Sequence, residues 1–237
     1  MSDSTNDERL GRVVPESPVR PPSNDIKLSG QYVNIVPVHP DHAAYLYELI
    51  KGDANTSLFD FIFDRHPKSL EELRASLAVK AATTHPWTYT ILRNNSQDGT
   101  YKPVGMVDLM RMDLPNRVIE VGNIQYTRAL QRTPAATEAM YLLAKYVFET
   151  LGFRRYEWKC NGLNHPSRRA AERLGFTYEG TFRQHMVVRG RNRDTNWYSI
   201  LDSEWVHVKS AMEKWLHTDN FDEEGRQRKT LRELREL

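Results

Sequence analysis

One short turn in this sequence combines small residues with a position that suits an anion. Residues 118–126 (VIEVGNIQY) are rich in β-branched and apolar residues, which predicts a strand. Residues 131–137 (QRTPAAT) follow, and an apolar stripe from Ala136 to Leu151 predicts a helix. Backbone N–H groups at the start of a helix favour phosphate. The turn is therefore a candidate phosphate site, with an ordinary capped helix start as the alternative.

A second strand and helix follow directly. Residues 154–160 (RRYEWKC) predict the strand, and Asn164, a good N-cap residue, predicts the start of a short helix. Both helices end on the triplet Leu-Gly-Phe, at residues 151–153 and 174–176. Glycine there allows a left-handed helix cap, and the phenylalanine returns the chain to the sheet.

These two units resemble the acetyl-CoA-binding core of the GCN5-related N-acetyltransferase (GNAT) superfamily. The family's signature at its central helix is Gln/Arg-x-x-Gly-x-Gly/Ala, and Gln131, Pro134 and Ala136 occupy those three places. Asn164 with Gly175-Phe176 matches the second segment of the family. Together with later residues, this combination is similar to the branch that includes the ribosomal-protein N-terminal acetyltransferases. Two motifs in the right order are more specific than one.

The resemblance implies an α/β fold with a mixed, mainly antiparallel central sheet. We expect about seven strands, helices on both faces and a V-shaped split at the central strand pair. Residues 28–216 would form the GNAT-like domain. Residues 1–27 hold four prolines and are expected to be a disordered or loosely attached arm, and residues 217–237 to be a polar tail.

The remaining predicted elements fit this order. The predicted strands are residues 31–38, 87–93, 103–112, 180–188 and 194–202. The predicted helices are residues 41–51, 68–82 and 203–216. Polar turns are expected at residues 94–99 and 190–193, and residues 53–67 predict a substrate-side loop or a packed connector.

The resemblance also implies where acetyl-CoA, the co-substrate, binds. Backbone groups of Ile124, Gln125 and Tyr126 would pair with the pantetheine arm, and the N–H near Gln125 would donate to the thioester oxygen. The turn residues expected to hold the pyrophosphate are Gln131, Arg132, Thr133, Ala135, Ala136 and Thr137. Pro134 replaces the family's glycine and has no N–H to donate. The next helix would contribute Asn164, Ser167 and Arg168.

The catalytic acid and base follow the family pattern less closely. Many members place a tyrosine seven residues after the asparagine, but Ala171 stands there. Ser167 occupies the place of the proposed acid of the ribosomal-acetyltransferase branch. The branch's proposed glutamate base corresponds to Met186, so that role does not transfer. Glu120, acting through water, is our candidate base and Asp108 the reserve, with a purely structural carboxylate as the alternative for Glu120.

Composition limits the other function classes. The chain has 237 residues, a net charge of +2 and one cysteine. The small charge gives no reason to expect nucleic acid, and a lone cysteine excludes an intrachain disulfide. No apolar run is long enough to predict a membrane span, and no spacing of the histidines predicts a metal site. We expect a cytoplasmic monomer or homodimer. A basic stretch, Arg183, Arg189, Arg191 and Arg193, predicts a charged hairpin tip or a surface that steers an acidic substrate.

The predicted function is transfer of an acetyl group from acetyl-CoA to a primary amine, by direct attack in a ternary complex. A small-molecule amine is favoured over a protein N-terminus. Four aromatic residues are candidates for the acceptor pocket or for ordinary core packing: Trp87, Tyr89, Trp197 and Tyr198. The alternative is an acetyl-CoA-binding regulatory module without transferase activity, which the missing tyrosine motivates.

Overall fold

The computed structural model describes residues 10–94 and 99–236. Eight strands form one sheet in the order β1-β2-β3-β4-β5-β6-β8-β7. Their bounds are β1 Leu28–Ser29, β2 Val33–Pro37, β3 Trp87–Asn94, β4 Tyr101–Asp113, β5 Val118–Tyr126, β6 Arg155–Asn161, β7 Thr177–Val188 and β8 Arg191–Leu201. All neighbouring pairs are antiparallel except the parallel pair β5–β6. The predicted α/β fold is confirmed, with eight strands instead of about seven because the two-residue β1 joins the edge.

Helices cover both faces of the sheet. The α-helices in the described residues are α1 Ala43–Ile50, α2 Leu70–Ala81, α3 Pro134–Lys145, α4 His165–Leu174, α5 Asp202–Leu216 and α6 Leu231–Arg235. The larger core lies between the sheet and α3, α4 and α5, whereas α1 and α2 build a smaller core with Val38 and Met106 on the opposite face. None of the helices described is both long and apolar enough to cross a membrane.

The helix ends follow the local sequence signals. Thr133 caps α3 and Asn164 caps α4, each through a side-chain oxygen that accepts a backbone N–H of the first turn. Gly175 ends α4 in the left-handed conformation, with φ of 99°. After α3 the chain continues as one π-helical turn, Tyr146–Thr150, and the helical path ends at Gly152 with φ of 80°. These caps fix where each helix begins relative to the sheet.

The central strand pair diverges after four residues. Residues Val118–Val121 of β5 pair with Arg155–Trp158 of β6, and the described register between these strands ends there. On its other side β5 bulges against β4, because Asp108 opposes Gly122 whereas Met106 opposes Gln125. Asn123 lies in this bulge with φ of 47°. The V-shaped split of the predicted fold therefore lies between β5 and β6.

One predicted turn was placed wrongly. The β7–β8 hairpin turns at Arg189 and Gly190, not across residues 190–193, so Arg191 and Arg193 belong to β8. Both turn residues have positive φ, 53° and 74°, which is the backbone of a two-residue hairpin turn. Of the other predicted turn, residues 94–99, most lies outside the described residues.

Both terminal segments contact the domain. The Arg20 N–H donates to the Leu151 carbonyl at 2.9 Å, and the Tyr89 hydroxyl donates to the Ser23 carbonyl at 3.0 Å. At the other end, Leu231 and Leu234 are buried in the larger core. The domain limits drawn from the sequence, 28–216, stay a prediction, as do the properties of residues 1–9, which lie outside the described part.

Candidate active site

The start of α3 presents backbone donors beside the split. Arg132 has a left-handed backbone with φ of 59°, and Thr133 caps the helix. The N–H groups of Arg132, Thr133 and Ala135 donate to no atom in the described part of the chain. The Ala136 N–H is used within the cap, where it lies 3.3 Å from Thr133 Oγ1. Three of the predicted pyrophosphate donors are thus available to an anion, whereas the N–H groups of Ala136 and Gln131 are engaged, the latter with the Thr127 carbonyl at 3.1 Å.

Side chains around this turn are held in place by hydrogen bonds. The Thr133 hydroxyl donates to the Leu130 carbonyl at 2.7 Å, and Gln131 Nε2 donates to the Tyr126 carbonyl at 2.9 Å. Thr137 Oγ1 accepts from Arg173 Nη1 at 3.0 Å. Arg173 therefore brings a cation to the first turn of α3, which the sequence analysis missed. The two residues lie 36 positions apart, and no local spacing connects them.

The exposed edge of β5 is anchored to the same helix. The buried Tyr126 hydroxyl donates to the Ala136 carbonyl at 3.1 Å, and burial raises the pKa of this tyrosine. Ile124 is half-buried against the larger core. The Gln125 side chain is buried, and neither of its amide atoms has a hydrogen-bond partner among the described residues. The predicted pantetheine-binding strand and the predicted phosphate turn are therefore one rigid unit.

The start of α4 lies on the other side of the split. Asn164 Oδ1 accepts from the Ser167 N–H at 3.1 Å, so this asparagine acts as an N-cap. Ser167 Oγ accepts from Trp158 Nε1 at 3.0 Å, which leaves the hydroxyl proton to be donated elsewhere. Arg168 Nε is buried with no partner among the described residues. Burial raises the pKa of the nearby Cys160 thiol, so no activated thiolate is present here.

Glu120 lies on the opposite face of the sheet within an ion cluster. Its side chain is 2% exposed and contacts two cations. Arg111 Nη1 donates to both carboxylate oxygens at 2.8 and 2.9 Å, and Lys159 Nζ lies 2.9 Å from Oε2. Both carboxylate oxygens of Glu120 are therefore engaged by cations, which suits a group that holds positive charge on this face and leaves no free oxygen to act as a base.

Asp108 occupies a different environment on the same face. It is 1% exposed, and burial raises its pKa to about 6. Oδ2 accepts from Asn123 Nδ2 at 3.0 Å, and Oδ1 has no partner in the described structure. The same amide donates to Asp64 Oδ2 at 3.0 Å. Asp108 thus has a free oxygen and a pKa close to neutral pH, which are the properties of a general base.

A loop and a hairpin cover this face. The Arg189 guanidinium, in the β7–β8 turn, donates to the carbonyls of Phe59, Ile62 and Asp64 at 3.1, 3.1 and 2.5 Å. The same loop inserts Phe63 beside the guanidinium of Arg193, 5.0 Å from the ring centroid. Residues 59–64 therefore cover the face of the split that carries Glu120, and we call this segment the roof.

Three of the four aromatic residues considered for the acceptor pocket belong to the hydrophobic core. Trp87, Tyr89 and Tyr198 are buried within the larger core, and the hydroxyls of the two tyrosines are used in hydrogen bonds to the Ser23 carbonyl and the Glu172 carboxylate. Trp197 differs, because its ring faces Lys159 Nζ at 3.9 Å from the ring centroid. Of the four aromatics, Trp197 alone joins the ion cluster of Glu120.

Replacing Arg189 tests whether its hydrogen bonds from the β7–β8 turn hold residues 59–64 in position. We expect Arg189→Ala to speed proteolysis and amide hydrogen exchange within residues 59–64 by about tenfold, because three hydrogen bonds to a charged group are lost. Arg183→Ala, an exposed arginine on β7, is the matched control. Equal exchange in wild type and Arg189→Ala would show that the loop holds its position without the hairpin.

Several buried polar atoms lack hydrogen-bond partners on the central strands and at the start of α4. In the described residues these atoms belong to Thr88, Asp108, Asn123, Gln125, Tyr156, Arg168, Arg193 and Trp197. All lie on β3, β4, β5, β6, β8 or the start of α4. Such atoms cost free energy and are tolerated where a ligand supplies the missing partner. By contrast, no group of three metal-ligating side chains is found in the part of the chain described.

Comparison with known proteins agrees with this geometry. A family profile described as an acetyltransferase (GNAT) domain matches residues 33–177. The crystal structure of a GCN5-related N-acetyltransferase from Brucella melitensis is 42% identical, with a TM-score of 0.88 over 94% of this chain and 99% of that chain. A "probable" GNAT-family acetyltransferase from Chromobacterium violaceum ATCC 12472 is 33% identical, with a TM-score of 0.70 over 82% and 98% of the two chains. The "Putative ribosomal N-acetyltransferase YdaF" of Bacillus subtilis (strain 168) is 27% identical over 76% of this chain and 96% of that protein.

Proposed function

Because this chain belongs to the GNAT acetyltransferase family and is an N-acetyltransferase, we propose that it transfers the acetyl group of acetyl-CoA to a small primary amine. The observation that carries this proposal is the set of unused donors at the start of α3, together with the partnerless polar atoms of Asn123 and Gln125 on β5 and of Arg168 at the start of α4. The start of α3 lies at one end of the split and the Glu120 cluster lies on its opposite face. This arrangement suits two substrates, one entering from each side of the sheet.

Acetyl-CoA fits the first side. The free N–H groups of Arg132, Thr133 and Ala135, with Arg173 nearby, would hold the pyrophosphate. The unpaired edge of β5 at Ile124, Gln125 and Tyr126 would bind the pantetheine arm. Asn164 and Arg168 would contact the same arm from α4. Bound there, acetyl-CoA supplies the acetyl thioester.

The acceptor amine fits the second side. We assign orientation of the protonated amine to Glu120, because its carboxylate already holds the cations Arg111 and Lys159 on this face. We assign proton acceptance to Asp108, whose pKa is about 6. The bound ammonium first loses one proton to solvent. Its nitrogen then forms the new C–N bond as the C–S bond breaks, and its second proton passes to Asp108. Ser167 protonates the departing sulfur, and exchange with water returns a proton to Ser167 and removes one from Asp108. Ser167 thus keeps the acid role that the sequence suggested, whereas the base role suggested for Glu120 passes to Asp108, the reserve candidate.

A protein N-terminus is the second candidate acceptor. It is favoured by one relative, YdaF, whose name describes a ribosomal N-acetyltransferase. The roof formed by residues 59–64 favours the small amine, because Arg189 closes it against the hairpin. Mass spectrometry of reactions with free amines and with peptides would distinguish the two acceptors.

Calorimetric titration with acetyl-CoA tests the binding half of the proposal. We expect micromolar binding by the wild type and at least a roughly tenfold weaker Kd in Ala136→Glu, because a carboxylate would repel the pyrophosphate. Arg132→Asp, at an exposed position, repeats the test without touching the core. Ala75→Glu, on the exposed face of α2, is the matched control.

Each outcome of this titration has a distinct meaning. Unchanged affinity in both turn variants would place the cofactor elsewhere. Acetyl-CoA binding by the wild type without turnover of any amine would instead indicate a regulatory binding module. Absence of acetyl-CoA binding by folded wild type would contradict the proposed reaction altogether.

A further inference from the structure

Arg193 is a buried cation without a counterion. It lies on β8 and is 7% exposed. Its Nη1 donates to Met186 Sδ at 3.4 Å, a weak acceptor, and its Nε has no partner in the described structure. None of the ion pairs among the described residues includes Arg193. Burial of an unpaired guanidinium destabilises the folded protein, so its retention requires an explanation.

The surrounding ion cluster leaves Arg193 as the unmatched charge. Three carboxylates, Glu120, Glu157 and Glu179, are shared among three other cations, Arg111, Arg155 and Lys159. Arg193 adds a fourth positive charge to the same face of the sheet. Burial and the neighbouring Arg111 guanidinium lower the pKa of Arg193 more than the Glu120 carboxylate, which is not in direct contact with it, raises it, and an arginine stays charged at neutral pH. Asp108 also lies on this face, but no carboxylate of the described residues comes within ion-pair distance of Arg193, so the missing negative charge is one beside its guanidinium.

The position of Arg193 assigns that charge to the acceptor. Phe63, from the loop that roofs the acceptor side, packs against its guanidinium. The donors suited to the phosphates of acetyl-CoA lie at the start of α3, which packs against the other face of the sheet. Arg193 lies on the face of Glu120, where the amine is expected to bind.

We propose that Arg193 binds a carboxylate carried by the acceptor amine, so that the substrate is an amino acid or an amine with an acidic group close to the reacting nitrogen. This inference rests on the proposed acetyl transfer and narrows its substrate class. The guanidinium fork suits a carboxylate because it donates two parallel hydrogen bonds. Glu120 then orients the ammonium end of the acceptor and Arg193 its carboxylate end.

Matched acceptor pairs test this assignment. The probes are the common L-amino acids beside their α-carboxamides, and peptides beginning with Asp or Glu beside those beginning with Asn or Gln. We expect wild type to favour the carboxylate member of at least one pair by about tenfold or more in kcat/KM. In Arg193→Gln this preference should vanish through a higher KM for the carboxylate member, with the amide member unchanged. Arg191→Gln, exposed two residues earlier on the same strand, is the matched control.

Stability separates substrate recognition from a structural role. A substrate-binding Arg193 predicts that Arg193→Gln and Arg193→Met keep or raise Tm, because a buried unpaired charge is removed. The inference is overturned if wild type shows no carboxylate preference in any pair, or if Arg193→Gln slows both members of a pair equally. If wild type binds acetyl-CoA but acetylates only amines outside this panel, the acetyl transfer stands and the carboxylate class is wrong. If wild type binds no acetyl-CoA, the proposed function itself fails.

Discussion

Asp108→Asn is expected to lower kcat/KM by about 100–1000-fold while leaving the protein folded, because it removes the proposed proton acceptor. Asparagine has the same shape and keeps an oxygen to accept from Asn123 Nδ2, now 3.0 Å from Asp108 Oδ2. Steady-state kinetics with a saturating acetyl-CoA concentration measure this loss. Asp64→Asn, which changes the other carboxylate on the same amide, is the control and should keep most of the activity.

The pH profile identifies the base. The pKa of Asp108 is about 6, whereas amines titrate higher. Below pH 6 both groups must lose a proton, so log(kcat/KM) should rise with pH at a slope of about two, and at about one between pH 6 and the amine pKa. In Asp108→Asn the slope should be about one throughout. A wild-type slope of one below pH 6 would remove Asp108 as the base.

Stability should change in the opposite direction to activity. The folded pKa of about 6 lies above the ordinary 3.8, so the folded protein binds the proton more tightly than the unfolded chain. Stability therefore falls as pH rises from about 4 to 6, by on the order of 3 kcal/mol. A neutral amide at this position would avoid that loss. At pH 7 we expect Asp108→Asn to raise Tm by a few degrees, and at pH 4 to leave it nearly unchanged.

The sequence predicted those parts of the site that local chemistry determines. Thr133 and Asn164 are cap residues before apolar stripes, and Gly175 ends a helix, so each could be placed from its neighbours. The bulge at Asn123 could not be placed from its neighbours in the sequence. Its left-handed backbone coincides with side-chain hydrogen bonds to Asp64, 59 residues earlier, and to Asp108 on the next strand. Contacts of that range leave no periodic signal in a single sequence.

The order of the two carboxylates shows the same limit. Residue type and strand position made Glu120 the better candidate for the base. The fold then places Arg111 and Lys159 against it, although neither residue had been connected with Glu120 by spacing. Asp108, with the same charge two strand positions away, is surrounded by few cations and is desolvated instead. A pKa depends on this three-dimensional environment, so the division of roles appears only in the structure.

Glu120→Gln is expected to lower both stability and activity. The Glu120 side chain is 2% exposed, and its carboxylate balances the positive charges of Arg111 and Lys159. Removing this carboxylate leaves Arg111 without a carboxylate partner in the described structure. Breaking a buried ion pair costs about 3–5 kcal/mol, and the partial exposure of Arg111 places this case at or below the lower end. We expect kcat/KM to fall about 10–100-fold through a higher acceptor KM, with the pH slopes of the wild type retained.

A double variant separates the two losses. Replacing Arg111 as well, in Glu120→Gln/Arg111→Gln, removes the uncompensated cation and should restore most of the lost stability. Acceptor KM should stay high, because no carboxylate returns to orient the amine. Glu157→Gln is the matched control, because Glu157 Oε2 also lies 2.7 Å from Lys159 Nζ. We expect this variant to lose stability but to show a smaller kinetic effect than Glu120→Gln.

The two carboxylate variants together decide how the site works. If Glu120→Gln changes the pH slope and Asp108→Asn does not, Glu120 is the base despite its two cations, and water must carry the proton. If Glu120→Gln lowers stability alone, the cluster only supports the sheet beside the split. Loss of acceptor affinity without a change of slope, with the slope lost in Asp108→Asn, would show that one carboxylate binds the ammonium ion and the other removes its proton. That division follows from the contacts of two equally buried carboxylates, because Glu120 is paired with two cations whereas Asp108 makes no ion pair among the described residues and has a pKa of about 6.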